Sequence, residues 1–206
     1  MKDIPKLYQQ YHVDRQDERL ELFVIIRTKF LAGSFLYPGC FVHITPAFVF
    51  PNATFVDTDR RARNFFDDPR TLAFVEAAKQ YKQKPKMRFL AQDYLEELEI
   101  DRNYDLLVSQ HAGFVSENCK KYLRKGGMLV ANNSHGDASL ASIDSDFRLV
   151  AAIQRRGEHF WISRTGLHEY FVPVKNVQVT RELLFNTKRG VRYKRTASNY
   201  VFEKVN

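Results

Sequence analysis

Five short apolar segments, each ending on polar residues, alternate with amphipathic segments through the middle of this 206-residue chain. Their β-branched and aromatic content predicts strands at Ser34–Tyr37, Ala53–Asp57, Met87–Ala91, Tyr104–Ser109 and Met128–Asn132. Strands that alternate with helices pack as a parallel sheet that is covered by helices on both faces. The pattern therefore predicts an α/β fold with a doubly wound, mostly parallel sheet.

Helical periodicity and turn residues occupy the gaps between these strands. The predicted helices span Asp17–Phe30, about Arg60 to Phe66, Pro69–Tyr81 and Val115–Leu123. A further short helix is predicted to begin at Thr45 and Pro46. The Arg-Lys-Gly-Gly run at 124–127 predicts a turn that ends the last long helix.

The last third of the chain changes character, because extended segments there no longer alternate with helices. Arg148–Gln154 and His159–Ser163 flank a predicted hairpin turn. Arg192-Tyr193 and Asn199–Lys204 are further extended segments. We therefore expect a seven-stranded sheet whose edge is antiparallel.

The length of the chain fits one domain, 1–206, with an N-terminal helical region (1–31) and a C-terminal antiparallel edge and basic tail (151–206). The C-terminal region has 11 Lys and Arg against 4 Glu, and so carries +7 of the net charge of +8. Such a charge favours either a polyanionic partner, such as nucleic acid or a phosphorylated substrate, or simply a solvated surface.

The sequence does not have the features of a membrane or exported protein. No apolar run approaches the roughly 20 residues that cross a bilayer, and the polar N-terminus lacks the apolar core of a signal peptide. Cys40 and Cys119 form neither a disulfide framework nor a metal-binding spacing. Cys40 and His43 also lack further ligands at a credible spacing for a metal site. We therefore expect a cytoplasmic protein without a metal.

In doubly wound sheets, ligands bind at the carboxyl ends of the strands, where the strand order reverses. The candidate binding residues at that edge are Tyr37, Pro38, Gly39, Cys40, Asp57, Thr58, Asp93, Tyr94 and Ser109. Asp57 lies 20 residues beyond Tyr37, close to the spacing at which an acid accepts hydrogen bonds from both hydroxyls of a ribose. An acid at a strand end is alternatively only a helix N-cap or a solvated residue.

The segments FLYPGC, FVDTD, FLAQDY, YDLLVSQHAG and YLRKGGMLV together resemble the class I S-adenosylmethionine-dependent methyltransferases, which are Rossmann-like. The resemblance covers about Phe35 to Asn133. It implies that S-adenosylmethionine is the cofactor, with Gly39 beside its methionine part, Asp57 on the ribose, and Asp93 and Tyr94 near the adenine. YPGCFVHI and NSHGDASLA also resemble segments of a bacterial branch of the family.

The loop after the first strand departs from the family pattern. The family has acid-x-Gly-x-Gly-x-Gly there, whereas this chain has Tyr37 in place of the acid and a single glycine, Gly39. The motifs of amino-methylating nucleic-acid enzymes and of cysteine-dependent ones are missing. The resemblance therefore implies a fold and a cofactor, but it implies no methyl acceptor.

Polar residues follow the fifth predicted strand at 132–139, at the mouth of the expected site. His135 with Asp137 is a candidate general-base pair, and Asn133 is a candidate for holding a substrate carbonyl or amide. His111 is the other candidate base, because the resemblance places it facing the transferred methyl. The alternative is a turn-rich loop whose Asn, Ser and Asp bond their own backbone.

Three functions remain open at this point. The first is an S-adenosylmethionine-binding methyltransferase. The alternative is a non-catalytic Rossmann-like adaptor or nucleic-acid-binding protein that has lost the cofactor. A nicotinamide-dependent oxidoreductase has the least support, because the chain has no G-x-G-x-x-G motif.

Overall fold

The computed structural model describes residues 4–101 and 103–206. Within them, one eight-stranded sheet has the spatial order β3-β2-β1-β4-β5-β8-β6-β7. The strands, in chain order, are β1 (Ser34–Pro38), β2 (Asn52–Val56), β3 (Lys86–Leu90), β4 (Tyr104–Ser109), β5 (Leu123–Ala131), β6 (Phe147–Arg156), β7 (His159–Ser163) and β8 (Asn199–Lys204).

Helices connect the strands and cover the sheet. The α-helices are α1 (Lys6–Tyr8), α2 (Leu20–Phe30), α3 (Arg60–Asp67), α4 (Pro69–Ala78), α5 (Val115–Cys119), α6 (Asp137–Ser142) and α7 (Arg181–Thr187). A π-helical segment, Gln9–Val13, continues α1. Short 3-10 turns lie at Thr45–Phe48, Lys120–Tyr122 and Leu167–Glu169. No helix of residues 4–101 and 103–206 has the length and apolar character of a membrane span.

The strand order reverses between β1 and β4, which are neighbours in the sheet although two strands separate them in the chain. Strands β1 to β5 pair in parallel. Their carboxyl ends therefore meet at one edge of the sheet, and the crevice between β1 and β4 is where such folds bind ligands. The predicted doubly wound, mostly parallel sheet is confirmed.

The C-terminal part of the sheet corrects the predicted strand count from seven to eight. The extended segment predicted at Asn199–Lys204 is strand β8, and it lies inside the sheet, antiparallel to both β5 and β6. The antiparallel edge of the sheet is β7, which forms the predicted hairpin with β6. Pairing on both sides explains why Tyr200, Val201 and Phe202 of β8 are buried.

The central strands bury side chains on both faces, which explains their continuous apolar sequences. In β1, Phe35 and Tyr37 belong to one hydrophobic cluster, whereas Leu36 belongs to the cluster on the opposite face. In β4, Leu106 and Leu107 divide between the two clusters in the same way. Successive side chains of a strand point to opposite faces, so each face has its own core.

Several predicted boundaries are wrong: α4 ends at Ala78 and not at Tyr81, and α5 ends at Cys119 and not at Leu123. In two further cases local backbone geometry overrides the periodic pattern. Helix α2 begins at Leu20 and not at Asp17, because Arg19 has a left-handed backbone with φ 57°. Residues 124–127 form part of β5 and not a helix-ending turn. Tyr104 pairs with Leu123 but Leu106 pairs with Met128, so the residues between Leu123 and Met128 bulge out of the ladder.

We expect Phe202→Ala to lower the free energy of unfolding by about 3–5 kcal/mol, because Phe202 is fully buried in the inserted strand β8 and truncation leaves a cavity. Urea denaturation followed by circular dichroism measures this loss. Glu203→Gln is the matched control in the same strand. It breaks only the exposed ion pair with Arg148, and should cost at most about 1 kcal/mol. Equal losses would show that β8 is not part of the core.

Candidate functional site

The loops after β1 and β4 touch directly at Gly39. This glycine has φ +65°, and its amide donates to the Val56 carbonyl at 2.8 Å. A Cβ at position 39 would lie 2.7 Å from the Ala112 Cβ and 3.6 Å from Cε1 of Tyr94. Only glycine combines that backbone angle with so close an approach. Ala112 and Tyr94 therefore fill the space against the β1 loop.

Asp57 lies directly after β2 and joins the β1 loop to the start of α3. Its Oδ2 accepts a hydrogen bond from the Phe41 amide at 2.7 Å, and its Oδ1 accepts one from the Asp59 amide at 2.8 Å. The side chain is half-buried at the rim of the crevice. A carboxylate offers about four acceptor positions, so about two remain for another donor.

Four other residues expected at the crevice have buried side chains. Tyr37 is 2% exposed, and its hydroxyl lies 3.0 Å from Nδ1 of the buried His43. Pro38, Cys40 and Ser109 are also buried. Burial raises the pKa of the Cys40 thiol well above its usual value. These side chains belong to the core, and only the backbone of this segment reaches the crevice.

The residues after β3 remain at the rim. Asp93 is exposed, and its Oδ1 accepts from the Leu95 amide at 2.9 Å. Tyr94 is half-buried, and its hydroxyl donates to the Gly113 carbonyl at 3.1 Å. Thr58, after β2, is exposed. Gly39 and Tyr94 thus lie against the loop that follows β4, and Asp57 bonds the loop that follows β1.

The predicted pairing of His135 with Asp137 is wrong. Asp137 is 1% exposed, and its carboxylate accepts hydrogen bonds from the Ser116 amide and hydroxyl, at 3.0 Å and 2.6 Å. Burial raises the pKa of Asp137 above its usual value. Asp137 therefore anchors α5 to α6. His135 is exposed, and its Nδ1 lies 3.0 Å from Oγ of Ser134.

Asn133 is also held by structural contacts. Its Oδ1 accepts from the amide and the hydroxyl of Ser139, each at 2.9 Å, and the Ser139 hydroxyl in turn accepts from Tyr193 at 2.8 Å. Its Nδ2 lies against Gly190, where a Cβ would come within 2.3 Å. The amide oxygen that was predicted to hold a substrate is therefore engaged within the fold. The turn-rich-loop alternative describes Asn133 correctly, because it bonds the Ser139 amide of the same segment. It does not describe Asp137, whose carboxylate bonds Ser116 of α5.

Arg19 is a site residue that sequence reasoning missed, because it lies inside the segment predicted as regular helix. Its guanidinium makes two hydrogen bonds to Asp17, at 2.9 Å and 2.8 Å. It also donates to Oε1 of Gln110 at 2.6 Å and contacts Nε2 of His111 at 2.5 Å. Asp17 bonds Arg155 of β6 as well, at 2.8 Å. The side chain of Arg19 is only 9% exposed.

Arg19 changes what His111 can do. Burial and then the Arg19 charge lower the pKa of His111, so the ring is neutral at pH 7. The guanidinium only donates hydrogen bonds, so Nε2 of His111 accepts and Nδ1 carries the proton. The nitrogen that would take a proton from a substrate thus faces Arg19. His135 makes no such contact through Nε2 with any described residue.

A cavity of about 410 Å³ lies beside this network. One wall comes from the ends of β4 and β5, and the opposite wall comes from the segment that leads into β8. The lining residues are Arg19, His111, Asn132, Asn133, Ser134, Arg155, Phe160, Val191, Arg192, Tyr193, Thr196, Ala197, Ser198, Asn199 and Tyr200. The cavity lies on the β5 side of the Gly39–Ala112 contact.

No family model matches the chain, and no curated protein sequence matches it. Solved structures do match. A proposed O-methyltransferase from Klebsiella pneumoniae has a TM-score of 0.53 at 11% identity, over 95% of this chain and 82% of that one. The N-methyltransferase NodS from Bradyrhizobium japonicum, in complex with S-adenosyl-L-homocysteine, has a TM-score of 0.50 at 15% identity, over 76% of this chain and 87% of that one. The O-methyltransferase TomG from Streptomyces achromogenes, in complex with SAM, has a TM-score of 0.50 at 11% identity, over 92% of this chain and 80% of that one.

The chain has the class I methyltransferase fold. At such low sequence identities the structural similarity establishes the fold alone, so any chemistry has to be argued from the residues of this chain. On chemistry, the free acceptor positions of Asp57 at the end of β2 suit the two hydroxyls of a ribose. Ala112 and Tyr94 lie against Gly39, the residue that the resemblance places beside the methionine part of the cofactor. The carboxylate at the end of β2 therefore suits the ribose part of S-adenosylmethionine.

We expect Gly39→Ala to destabilise the fold by more than Gly157→Ala. Both glycines have positive φ, so both changes carry the roughly 1 kcal/mol cost of a left-handed non-glycine residue. A Cβ at Gly157 meets nothing within 4 Å, whereas one at Gly39 collides with Ala112. Urea denaturation of both variants, and of Gly39→Ala with Ala112→Gly, measures the difference. Equal costs, or no recovery in the double variant, would contradict the contact.

We expect the stability of the fold to fall in mild acid because of His12 and His43. Their rings stack at 4.3 Å, and burial lowers the pKa of His12 from 6.5 to about 4. A lowered folded-state pKa means that the unfolded chain takes up the proton first. Stability from this source is therefore complete above about pH 6.5, and it falls by on the order of 2 kcal/mol by about pH 5.

Urea denaturation across this pH range, on wild type and His12→Gln, measures the effect. His12→Gln should reduce the loss of stability between about pH 6.5 and about pH 5. His168→Gln, at an exposed histidine, should leave the fall unchanged. Identical pH profiles for wild type and His12→Gln would refute the assignment.

Proposed function

We propose that this protein is an S-adenosylmethionine-dependent methyltransferase. The observation that carries the proposal is Asp57. It is a half-buried carboxylate at the end of β2, beside the β1 loop and next to the point where the strand order reverses, with acceptor positions to spare. A doubly wound fold with an acid in this position suits a ribose-containing ligand. The free thiols of Cys40 and Cys119 support a cytoplasmic location as part of the same proposal.

The proposed roles follow from where the residues lie. Asp57 accepts hydrogen bonds from the ribose hydroxyls, Asp93 and Tyr94 border the adenine, and the backbone at Gly39 approaches the amino-acid end. The bound cofactor supplies an electrophilic methyl group. His135 is the candidate base for an acceptor that loses a proton, since its Nε2 is not engaged by the described residues. His111 is better suited to positioning Arg19 and Ser134 than to taking the proton itself.

The loop after β4 must move for the whole cofactor to bind, because Ala112 lies against Gly39. Two non-glycine residues flank Ala112 with left-handed backbones, His111 at φ 59° and Phe114 at φ 60°. Each such residue costs about 1 kcal/mol or more. The loop therefore holds strain that a rearrangement would release, and this supports a mobile role for it.

One observation favours a second function, in which the chain keeps the fold without the cofactor. Ala112 and Tyr94 lie so close to Gly39 that no side chain fits there, and a loop that kept this contact would hold the amino-acid end of the cofactor away from Gly39. A protein of this kind would bind a partner through its surface, and the positive charge of residues 151–206 suits a nucleic acid. Binding of generic DNA or RNA would then weaken steeply with salt and with removal of Lys188 and Arg189.

Calorimetric titration with S-adenosylmethionine and S-adenosylhomocysteine separates the two functions. We expect both ligands to bind the wild type, and Asp57→Asn to weaken binding about tenfold or more, because a charged acceptor becomes a neutral one. Asp67→Asn is the matched control, because it makes the same change at an exposed carboxylate of α3 that pairs only with Arg63 among the described residues, and it should change nothing. Ala112→Gly should bind at least as tightly as wild type, because it removes the methyl group against Gly39.

Absence of binding to the wild type at millimolar ligand would overturn the methyltransferase proposal in favour of the second function. Equal binding by wild type and Asp57→Asn would refute the role of Asp57.

A further inference from the structure

The lining of the cavity beside Arg19 carries more positive than negative charge. Three arginines line it, Arg19, Arg155 and Arg192, and none of the described residues that line it is Asp or Glu. Asp17 is the counter-charge of two of them, because it bonds Arg19 at 2.9 Å and Arg155 at 2.8 Å. One carboxylate thus serves two guanidinium groups, and Arg192 has no ion pair with any described residue. The wall therefore carries a net positive charge, which an anionic ligand would neutralise.

Hydrogen-bond donors remain available on this wall. A guanidinium has five N–H donors in a fixed plane. Arg155 uses Nε on the Gly157 carbonyl, one Nη on Asp17 and the other on the Gln16 carbonyl, so each Nη keeps one N–H. Arg192 is exposed and keeps its donors. These donors match the planar, two-oxygen geometry of a carboxylate or the oxygens of a phosphate.

The rest of the cavity is apolar or neutral. Phe160, Val191, Tyr193 and Tyr200 line it, and the hydroxyl of Tyr193 is already engaged with Ser139. The volume of about 410 Å³ is near the lower end of the range for small-molecule sites. Such a cavity suits a compact organic molecule with one charged end, and it is too small for a folded macromolecular partner.

We propose that this cavity binds a small organic anion, with its carboxylate or phosphate against Arg155 and Arg192 and its carbon body against Phe160 and Tyr193. The cavity opens beside Ser134 and His111, at the ends of β4 and β5. The further statement that this anion is the methyl acceptor rests on the proposed function. Binding of the anion itself does not.

Titration with simple probes tests the proposal on the intact chain. Benzoate and phenyl phosphate are the charged probes, and benzamide is the neutral probe of the same shape as benzoate. Ligand-observed NMR reports weak binding of all three. We expect a charged probe to bind the wild type in the millimolar range or tighter, and benzamide to bind at least about fivefold more weakly. Preference for benzoate or for phenyl phosphate identifies which anionic group the site takes.

Arg192→Gln should weaken binding of the charged probe about fivefold and leave benzamide unaffected. Arg189→Gln is the matched control, because it removes the same charge from the same exposed segment but does not line the cavity. Both arginines are exposed, so both variants should fold. Equal binding of benzoate and benzamide, equal losses in the two variants, or no binding of either anion would overturn the proposal.

These titrations need no cofactor, so the two proposals fail separately. If the anion binds and S-adenosylmethionine does not, the anion site stands and its role as an acceptor site falls. If the cofactor binds and no anion does, the anion site is refuted and the proposed function stands.

Discussion

The guanidinium of Arg19 is the interaction on which the candidate site depends most. It is almost completely buried and joins three parts of the chain: the N-terminal segment through Asp17, the end of β4 through Gln110 and His111, and β6 through the shared Asp17–Arg155 contact. Gln110 extends the network to Asn199 at the start of β8, at 2.7 Å. A buried charge is tolerated only when it is fully paired and hydrogen-bonded. Loss of one of these contacts is therefore expected to weaken the others.

Asp57 illustrates how one side chain serves the fold and the proposed site. Its hydrogen bond from the Phe41 amide holds the loop after β1, its bond from the Asp59 amide holds the start of α3, and about two acceptor positions remain for a ligand. The β1 loop has one glycine where related folds have three, and its larger residues go inward: Tyr37 and Cys40 are core side chains. The loop is therefore built around the stacked His12 and His43 and the hydroxyl of Tyr37, and the crevice receives mainly its backbone.

The sequence predicted the sheet well because buried parallel strands leave a local signal, an apolar run that ends on polar residues. It predicted the ends of helices less well, since Arg19 and the bulge at 124–127 depend on distant partners. Candidate site residues divided in the same way. The local pattern predicted that Asp57 and Asp93 follow β2 and β3, as they do. No local signal shows that Asp137 bonds Ser116 or that Asn133 bonds Ser139. Arg19 was missed for the same reason, because its partners lie up to 92 residues away in the chain.

The position of β8 has a consequence for how the chain is made. This strand follows the other seven described strands in the sequence, yet it lies between β5 and β6 and supplies hydrogen bonds to both. During synthesis, β1 to β5 can assemble as they emerge, while β6 and β7 remain a hairpin with no neighbour on the β5 side. The exposed edges of β5 and β6 must wait for residues 199–204 before they close. Until then, the nascent chain presents two unpaired strand edges, which makes this interval the one most exposed to misassembly.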